Sequence, residues 1–141
     1  GDISSQDTLL AQSQMAVGTN ASGGFAITAN GGAPAAGSSV INGLAVPTES
    51  KPGTNQFGIN LVQNSTPIVG KEPEGEWANA VASSDYSQPD KYKYVSGDTI
   101  AYSPNVSLMK KFTVSYILNS SPSLRAGVYT TSINYIASGR F

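Results

Sequence analysis

The 141-residue chain contains no cysteine and no histidine. The missing cysteine excludes disulfide bonds and thiolate metal sites, and the missing histidine excludes imidazole ligands and every Ser-His-Asp catalytic triad. Charged residues make up only 12% of the chain, against roughly 25% in an average globular protein. The formal net charge of −1 gives no bulk attraction for nucleic acid. We predict no metal site, no cofactor and no nucleic-acid partner.

Long apolar runs are also missing, so the sequence predicts no membrane span. The chain begins at Gly1 instead of Met and is rich in Ser, Thr, Asn and Gly. This combination is typical of exported proteins whose signal peptide has been removed. We expect an extracellular or cell-surface location.

The chain does contain many short segments in which apolar and polar residues alternate, as in half-buried β-strands. Residues 111–118 give the clearest pattern, with Phe112, Val114, Tyr116 and Leu118 on one face. Further strand-like segments lie at residues 9–17, 24–29, 39–46, 56–63, 92–102 and 127–137. Clusters of Gly, Pro, Asn and Ser separate them. We predict an all-β fold, an antiparallel β-sandwich of jelly-roll or immunoglobulin-like type.

Two local features modify this pattern. Residues 75–83 predict one short helix, with Trp77 and Val81 one turn apart. Gly43, inside the segment 39–46, predicts a bulge or a close approach of another backbone.

The length fits a single domain, in which residues 18–141 form the sandwich and residues 1–17 form an N-terminal extension with the first strand. In a fibre, this region would complete the sheet of the next subunit as a donor strand. Residues 1–8 are polar apart from Ile3, so we expect a donor strand to reach beyond residue 8. The predicted subunit contacts are the apolar residues Ile3, Leu9, Ala11, Met15 and Val17.

Two further sets of residues are candidates for attachment or recognition. The Asn-x-Ser/Thr pattern predicts possible N-glycosylation at Asn20, Asn64, Asn105 and Asn119. Aromatic side chains stack on sugars, and the candidates here are Trp77, Tyr92 and Tyr94, of which the two tyrosines are expected to form an exposed pair on one strand face.

Three stretches carry a resemblance to known proteins: NASGGFAITANGG (20–32), QFGINLVQN (56–64) and KFTVSYILNSSPSLRAGVYTTSINYIASGRF (111–141). They resemble exported β-sandwich surface proteins of Gram-positive and candidate-phylum bacteria. At the level of architecture the pattern is similar to camelysin-type biofilm matrix fibre subunits and to bundling pili. This resemblance implies polymerisation by donor-strand exchange.

We therefore expect a structural subunit of an extracellular filament, pilus or surface assembly, which polymerises with itself. The alternative is a monomeric adhesion or carbohydrate-binding module that binds cell-surface or matrix glycans. The carboxylates lie mostly in turn-like segments, without the aromatic clustering that is usual in a sugar-cleaving cleft. We do not expect an enzyme.

Overall fold

The structure, a computed structural model, describes residues 5–141. Ile3 lies outside the described residues. The strands are β1 (Leu9–Thr19), β2 (Phe25–Asn30), β3 (Ala35–Ala36), β4 (Ser39–Val40), β5 (Thr48–Glu49), β6 (Gln56–Asn60), β7 (Asn64–Ser65), β8 (Ile68–Val69), β9 (Val81–Ala82), β10 (Lys91–Tyr92), β11 (Thr99–Ser103), β12 (Ser107–Asn119) and β13 (Asn134–Gly139). The predicted all-β class is confirmed.

A three-stranded antiparallel sheet has the order β1-β12-β6. β1 and β12 pair continuously from Leu9–Leu118 to Val17–Lys110, and the register shifts by a bulge before Thr19 pairs with Ser107. We call the two ends of this ladder the Leu9 end and the Thr19 end. The sequence pattern explains the long ladder, because β-branched and aromatic residues of β12 favour extended backbone.

A four-stranded antiparallel sheet has the order β13-β2-β11-β9. Phe25 and Ile27 of this sheet lie in the same buried cluster as Ile59, Phe112 and Val114 of the three-stranded sheet. The two larger sheets thus share one hydrophobic core, which is compatible with the predicted sandwich. Each fully buried side chain of this size contributes about 1.5–3 kcal/mol through loss of apolar surface from water.

The other face of the three-stranded sheet is covered too. Ile117 of β12 packs there against Val69, Tyr92 and Leu44 in a second, smaller cluster. Ser115, also on this face of β12, is completely buried. β12 is therefore an interior strand with both faces covered.

The predicted helix over residues 75–83 is wrong. Gly75 and Trp77 have φ values of 159° and 60°, of which the second is left-handed and ends any right-handed helix. Backbone hydrogen bonds join Glu74 to Lys111, and Val81–Ala82 forms an edge strand on β11. Helical structure among the described residues is limited to a 3-10 turn at Ser84–Tyr86.

Three predicted strands differ in detail. The expected strand over 39–46 is regular only in β4, Ser39–Val40, and Gly43 forms an isolated bridge to Phe57. The expected strand over 127–137 is regular only in β13, Asn134–Gly139, because Thr130 instead forms an isolated bridge to Ala35. The segment 92–102 turns at Gly97 as expected, but its two halves join different sheets. Residue Tyr92 pairs with β5, whereas β11 pairs with β2 and β9.

The close approach predicted at Gly43 is confirmed. A Cβ atom placed on this glycine would lie 2.4 Å from the carbonyl oxygen of Tyr94. The neighbouring Leu44 donates its N–H to Phe57 and accepts from Tyr94. Glycine is required because two backbones meet at this point.

Replacing Gly43 by alanine should lower the free energy of unfolding by about 1–3 kcal/mol, because the added methyl group forces the backbones apart. Urea unfolding measures this change. Gly32→Ala is the matched control, since nothing lies within 4 Å of a Cβ at Gly32. Equal stability losses in the two variants would contradict the close approach.

Candidate functional site: the open edge of β1

β1 is an edge strand that pairs only with β12 among residues 5–141. Its outer edge, from Leu9 to Thr19, has no ladder partner in that part of the chain. β6 at the opposite edge of the sheet is partly covered, because Ile59 exchanges two backbone hydrogen bonds with Lys93. Unpaired N–H and C=O groups along a strand are a template for pairing with another chain.

A second open edge borders the same side of the molecule. β13 pairs only with β2 among the described strands, and side-chain hydroxyls connect it to β1. Ser13 Oγ lies 2.8 Å from Tyr116 Oη, and that hydroxyl is also hydrogen-bonded to the hydroxyl of Tyr135. Burial, together with the bond to Tyr116, raises the pKa of Tyr135. Tyr135 therefore keeps its proton at neutral pH, where it hydrogen-bonds Tyr116.

The predicted contact residues of β1 share one face. Leu9, Ala11, Met15 and Val17 stand opposite Leu118, Tyr116, Phe112 and Lys110 of β12, in that order. Met15 and Val17 pack against the main core, Leu9 is half-buried, and Ala11 is exposed. Within one chain these residues complete the molecule's own sheet; their role between subunits stays a prediction.

The start of β1 is fixed by a polar network. Thr8 Oγ1 donates to Asn119 Oδ1 at 2.6 Å, and Asn119 Nδ2 donates to Gln56 Oε1 at 2.8 Å. Both Asn119 and Gln56 are buried. The N-terminal segment is thus anchored to the core sheet at residue 8.

A cavity of about 260 Å³ opens at the Leu9 end of the ladder. Leu9, Ala11, Tyr116 and Leu118 form one wall, and Pro34 and Tyr129 are among the residues of the other. Sequence reasoning missed this cavity, because it depends on how the segments around Pro34 and Tyr129 fold back over β1. The nearest signal in the sequence was the shared face of the Leu9 and Ala11 side chains.

The candidate aromatic residues do not lie together. Trp77 is 85% exposed and adopts a left-handed backbone, which costs roughly 1–2 kcal/mol for a residue with a Cβ. The expected exposed pair Tyr92 and Tyr94 is wrong, because both side chains are buried. Pairing of Lys93 with Ile59 pulls this segment against β6. Tyr94 then packs edge-on against Phe57, with ring centroids 5.1 Å apart.

The four glycosylation candidates fall into two classes. Asn20 and Asn105 are exposed, whereas Asn64 and Asn119 are buried. The amide of Asn64 donates to Asn60, Val62 and Val69 and accepts from Asn60 and Asp90. A glycan needs a free, accessible amide nitrogen, so the structure contradicts Asn64 and Asn119 as attachment sites in the folded protein.

A charged cluster lies away from β1. Lys93 Nζ is 2.9 Å from Asp85 and 3.0 Å from Asp98, and Tyr86 Oη donates to Asp98 at 2.7 Å. Hydrogen bonding to Asp85 and then to Asp98 outweighs burial and raises the pKa of Lys93. Burial alone would raise the pKa of Asp98, but the bonds from Tyr86 and Lys93 hold it below its usual value. One ammonium group faces two carboxylates, so the cluster keeps a net charge of −1, and each carboxylate has Lys93 as its partner of opposite charge.

Two further properties concern the described residues only. Residues 5–141 contain no group of three or more acidic side chains arranged to hold a metal ion. No helix in this range combines the length and the apolar character needed to cross a membrane.

Comparison with known proteins finds no family model, no curated protein and no solved structure that matches this chain. The resemblance to exported surface proteins stays a prediction.

Acid should destabilise the protein through Asp98. Its folded-state pKa is lowered, so its contribution is present above the unfolded pKa of about 3.9 and is lost as pH falls through the folded value. Asp98→Asn should lower the free energy of unfolding by about 1–2 kcal/mol at pH 7. As the pH falls below about 4, the variant should lose less stability than the wild type, because it has no carboxylate at this position to protonate. Urea midpoints across pH measure this. The exposed control Glu76→Gln should change stability at pH 7 by less than about 0.5 kcal/mol.

Glycan attachment should follow burial. When the chain is secreted from a host with N-glycosylation machinery, mass spectrometry of the folded product should find sugar only at Asn20 and Asn105. Asn20→Gln and Asn105→Gln should each remove one glycan. A folded product that carries sugar on Asn64 or Asn119 would contradict the buried amide networks.

Proposed function

We propose that this chain is a β-sandwich subunit of an extracellular filament, pilus or surface assembly, and that it polymerises by donating β1 and the residues before it to the next subunit. Its role in this proposal is structural and not catalytic. The observation that carries the proposal is that the first strand is an edge strand whose one apolar face belongs to the core.

A donated β1 would make the same contacts in a neighbour that it makes in its own chain. β12 requires a strand on this side, because its backbone pairs with β1 along the ladder and because Met15 and Val17 pack against the core cluster that contains Phe112. Exchanging identical strands leaves the energies of these contacts unchanged. The free-energy cost of the exchange then comes from the conformational change in the hinge and from the entropy lost on association. Residues 20–24 join β1 to β2 and would be that hinge.

Donation in one direction favours an open assembly. The strand that leaves one subunit enters a different surface of the next, so the contact is heterologous and need not close into a ring. Such a contact, repeated from subunit to subunit, generates a filament. The open edge of β1 adds a second surface on which neighbouring filaments could pair.

The alternative function, an adhesion or carbohydrate-binding module, has one observation in its favour. Trp77 is exposed, as a sugar-stacking residue would be. A platform usually needs more than one such ring, and Tyr92 and Tyr94 are buried. We therefore place this function second.

Disulfide trapping tests strand donation directly, because the chain has no cysteine of its own. Ala16 and Lys111 are cross-strand partners and neither is fully buried, and such partners lie close enough for a disulfide. A mixture of Ala16→Cys chains and Lys111→Cys chains, refolded together and oxidised, should form covalent heterodimers. Denaturing gels measure the product, and electron microscopy of the same sample should show filaments.

A mixture of Ala16→Cys and Val46→Cys chains is the control for random collision, since Val46 is exposed and is not paired with β1. It should give no specific product. The proposal fails if the Ala16→Cys, Lys111→Cys double variant closes only within its own chain while the mixture of single variants stays uncrosslinked.

A further inference from the structure

The free edge of β1 contains none of the residues that usually keep an edge strand from pairing. From Leu9 to Thr19 the strand has no charged residue and no proline, and natural edge strands commonly use both to avoid pairing. Its central residues, Leu10 to Gln14, are all exposed. The sequence of β1 therefore permits a second strand to pair with it.

The hydrogen bonds of β12 fix which residues of β1 point to the free edge. Lys111 exchanges two backbone hydrogen bonds with Glu74 on the side of β12 away from β1. Ala16 stands opposite Lys111 in the antiparallel ladder, so Ala16 also directs its N–H and C=O away from that pair. Because this direction alternates along a strand, the even-numbered residues of β1 present the free backbone groups, namely Leu10, Gln12, Gln14 and Ala16.

The side chains of β1 are nearly symmetric about Ser13. The regular ladder with β12 runs from Leu9 to Val17 before the bulge, and Ser13 is its midpoint. Residues at equal distances from Ser13 match in polarity: Gln12 with Gln14, Ala11 with Met15, Leu10 with Ala16, and Leu9 with Val17. The members of each pair lie on the same face of the strand, because they are separated by an even number of residues. Such a strand is complementary to a copy of itself that runs in the opposite direction.

We propose that the free edge of β1 pairs with the same edge of a second copy of this chain, antiparallel and across a twofold axis at Ser13. The two three-stranded sheets would join into one continuous six-stranded sheet. The contact is isologous, so it closes at the dimer. The edge is free whether β1 lies in its own chain or in a neighbour, so this inference does not rest on strand donation.

The backbone groups meet in this register. The free groups of Gln12 face those of Gln14 in the other copy. Those of Leu10 face those of Ala16 in the same way. Each of these pairs occurs twice across the axis and exchanges two bonds, so about eight backbone hydrogen bonds form.

Neighbouring registers fit less well. A shift by one residue would turn the apolar face of one copy towards the outer face of the other, and would set free backbone groups opposite groups already bonded to β12. An axis at Gln12 would place Ser13 opposite Ala11, and an axis at Gln14 would place Ser13 opposite Met15. Of these three axes, Ser13 alone sets apolar side chains opposite apolar ones along the regular ladder.

A single pair of strands is a small interface. The regular part of β1, Leu9 to Val17, is about 30 Å long, and its pairing covers less than the roughly 1,600 Å² of a typical stable interface. Dimers should therefore form as the concentration of the chain rises and dissociate on dilution. Sedimentation velocity measures this equilibrium.

Single cysteines locate the axis, because the chain has none of its own. In Ser13→Cys the two sulfur atoms meet at the axis, where the Cα atoms of a non-hydrogen-bonded pair lie about 4.5 Å apart, which a disulfide can bridge. Oxidation of the folded variant should give a covalent dimer of twice the 14.5 kDa chain mass. The control Val46→Cys lies outside β1 and is exposed, and it should dimerise at least about tenfold more slowly, because its sulfurs meet only by collision.

A mixture of variants tests the register. Gln12→Cys and Gln14→Cys chains should form heterodimers when they are mixed, because these two positions are direct partners. Each variant alone should cross-link poorly, since its own sulfurs stand diagonally, with Cα atoms about 7–8 Å apart. Equal cross-linking of Ser13→Cys and Val46→Cys would overturn the inference, and so would efficient cross-linking of Gln12→Cys or Gln14→Cys alone.

Charge reversal tests the same contact without a covalent bond. The double variant Gln12→Lys, Gln14→Lys should stay monomeric at concentrations where the wild type dimerises, because like charges meet across the axis. Gln12→Glu, Gln14→Glu should do the same, and an equimolar mixture of the two double variants should recover the dimer. Gln63→Lys adds a charge at an exposed position outside β1 and should leave dimerisation unchanged. Urea unfolding checks that each variant folds.

Edge pairing and strand donation fail separately. Dimers through Ser13→Cys without trans disulfides between Ala16→Cys and Lys111→Cys chains would support edge pairing and contradict strand donation. Trans disulfides without preferential Ser13→Cys dimers would overturn edge pairing alone. A wild-type chain that is monomeric at every concentration, or an association that the charged double variants leave unchanged, also overturns edge pairing.

Discussion

The structure depends on β12, whose faces are both buried. Phe112 and Val114 point into the core shared with the four-stranded sheet, while Ile117 packs on the opposite face against Tyr92 and Val69. A strand in this position must have partners on both edges, because an unpaired N–H or C=O in the interior costs about 1–3 kcal/mol. β6 and the Glu74 bridge occupy one edge, and β1 occupies the other. β1 is therefore required by the core although it is itself peripheral.

This requirement connects stability to assembly. The chain has no disulfides, and the polar interior is instead held by side-chain amides such as the reciprocal Asn60–Asn64 pair. These amides fix the strands around β12 without involving β1, apart from the bond of Thr8 to Asn119. β1 is held by its backbone ladder to β12 and by a few side-chain bonds, and a strand of the same sequence from a neighbouring subunit could form the same contacts.

The sequence predicted best what depends on local alternation. The face of Phe112 and Val114, the all-β class and the backbone contact at Gly43 follow from strand periodicity and from the missing side chain of glycine. The prediction that Tyr92 and Tyr94 are exposed was wrong. Alternation predicts that two residues share a strand face, but it does not predict whether that face points to the interior or to solvent. The helix predicted over 75–83 was wrong because the spacing of Trp77 and Val81 carries no information on the backbone bridge between Glu74 and Lys111, which are distant in sequence. The cavity at the Leu9 end needed segments distant in sequence.

An open edge is usually a source of unspecific aggregation, and β1 limits this risk through its outward residues. Gln12 and Gln14 lie on the face away from the core and are exposed, and Gln12 accepts a hydrogen bond from the backbone of Gly70. Any strand can pair with an unpaired edge, and polar side chains beside that edge favour no particular partner. Selectivity must then come from the apolar face that carries Met15 and Val17 and from surfaces outside the ladder. A strand-donating junction in this protein would therefore need a second, side-chain-specific contact outside the ladder.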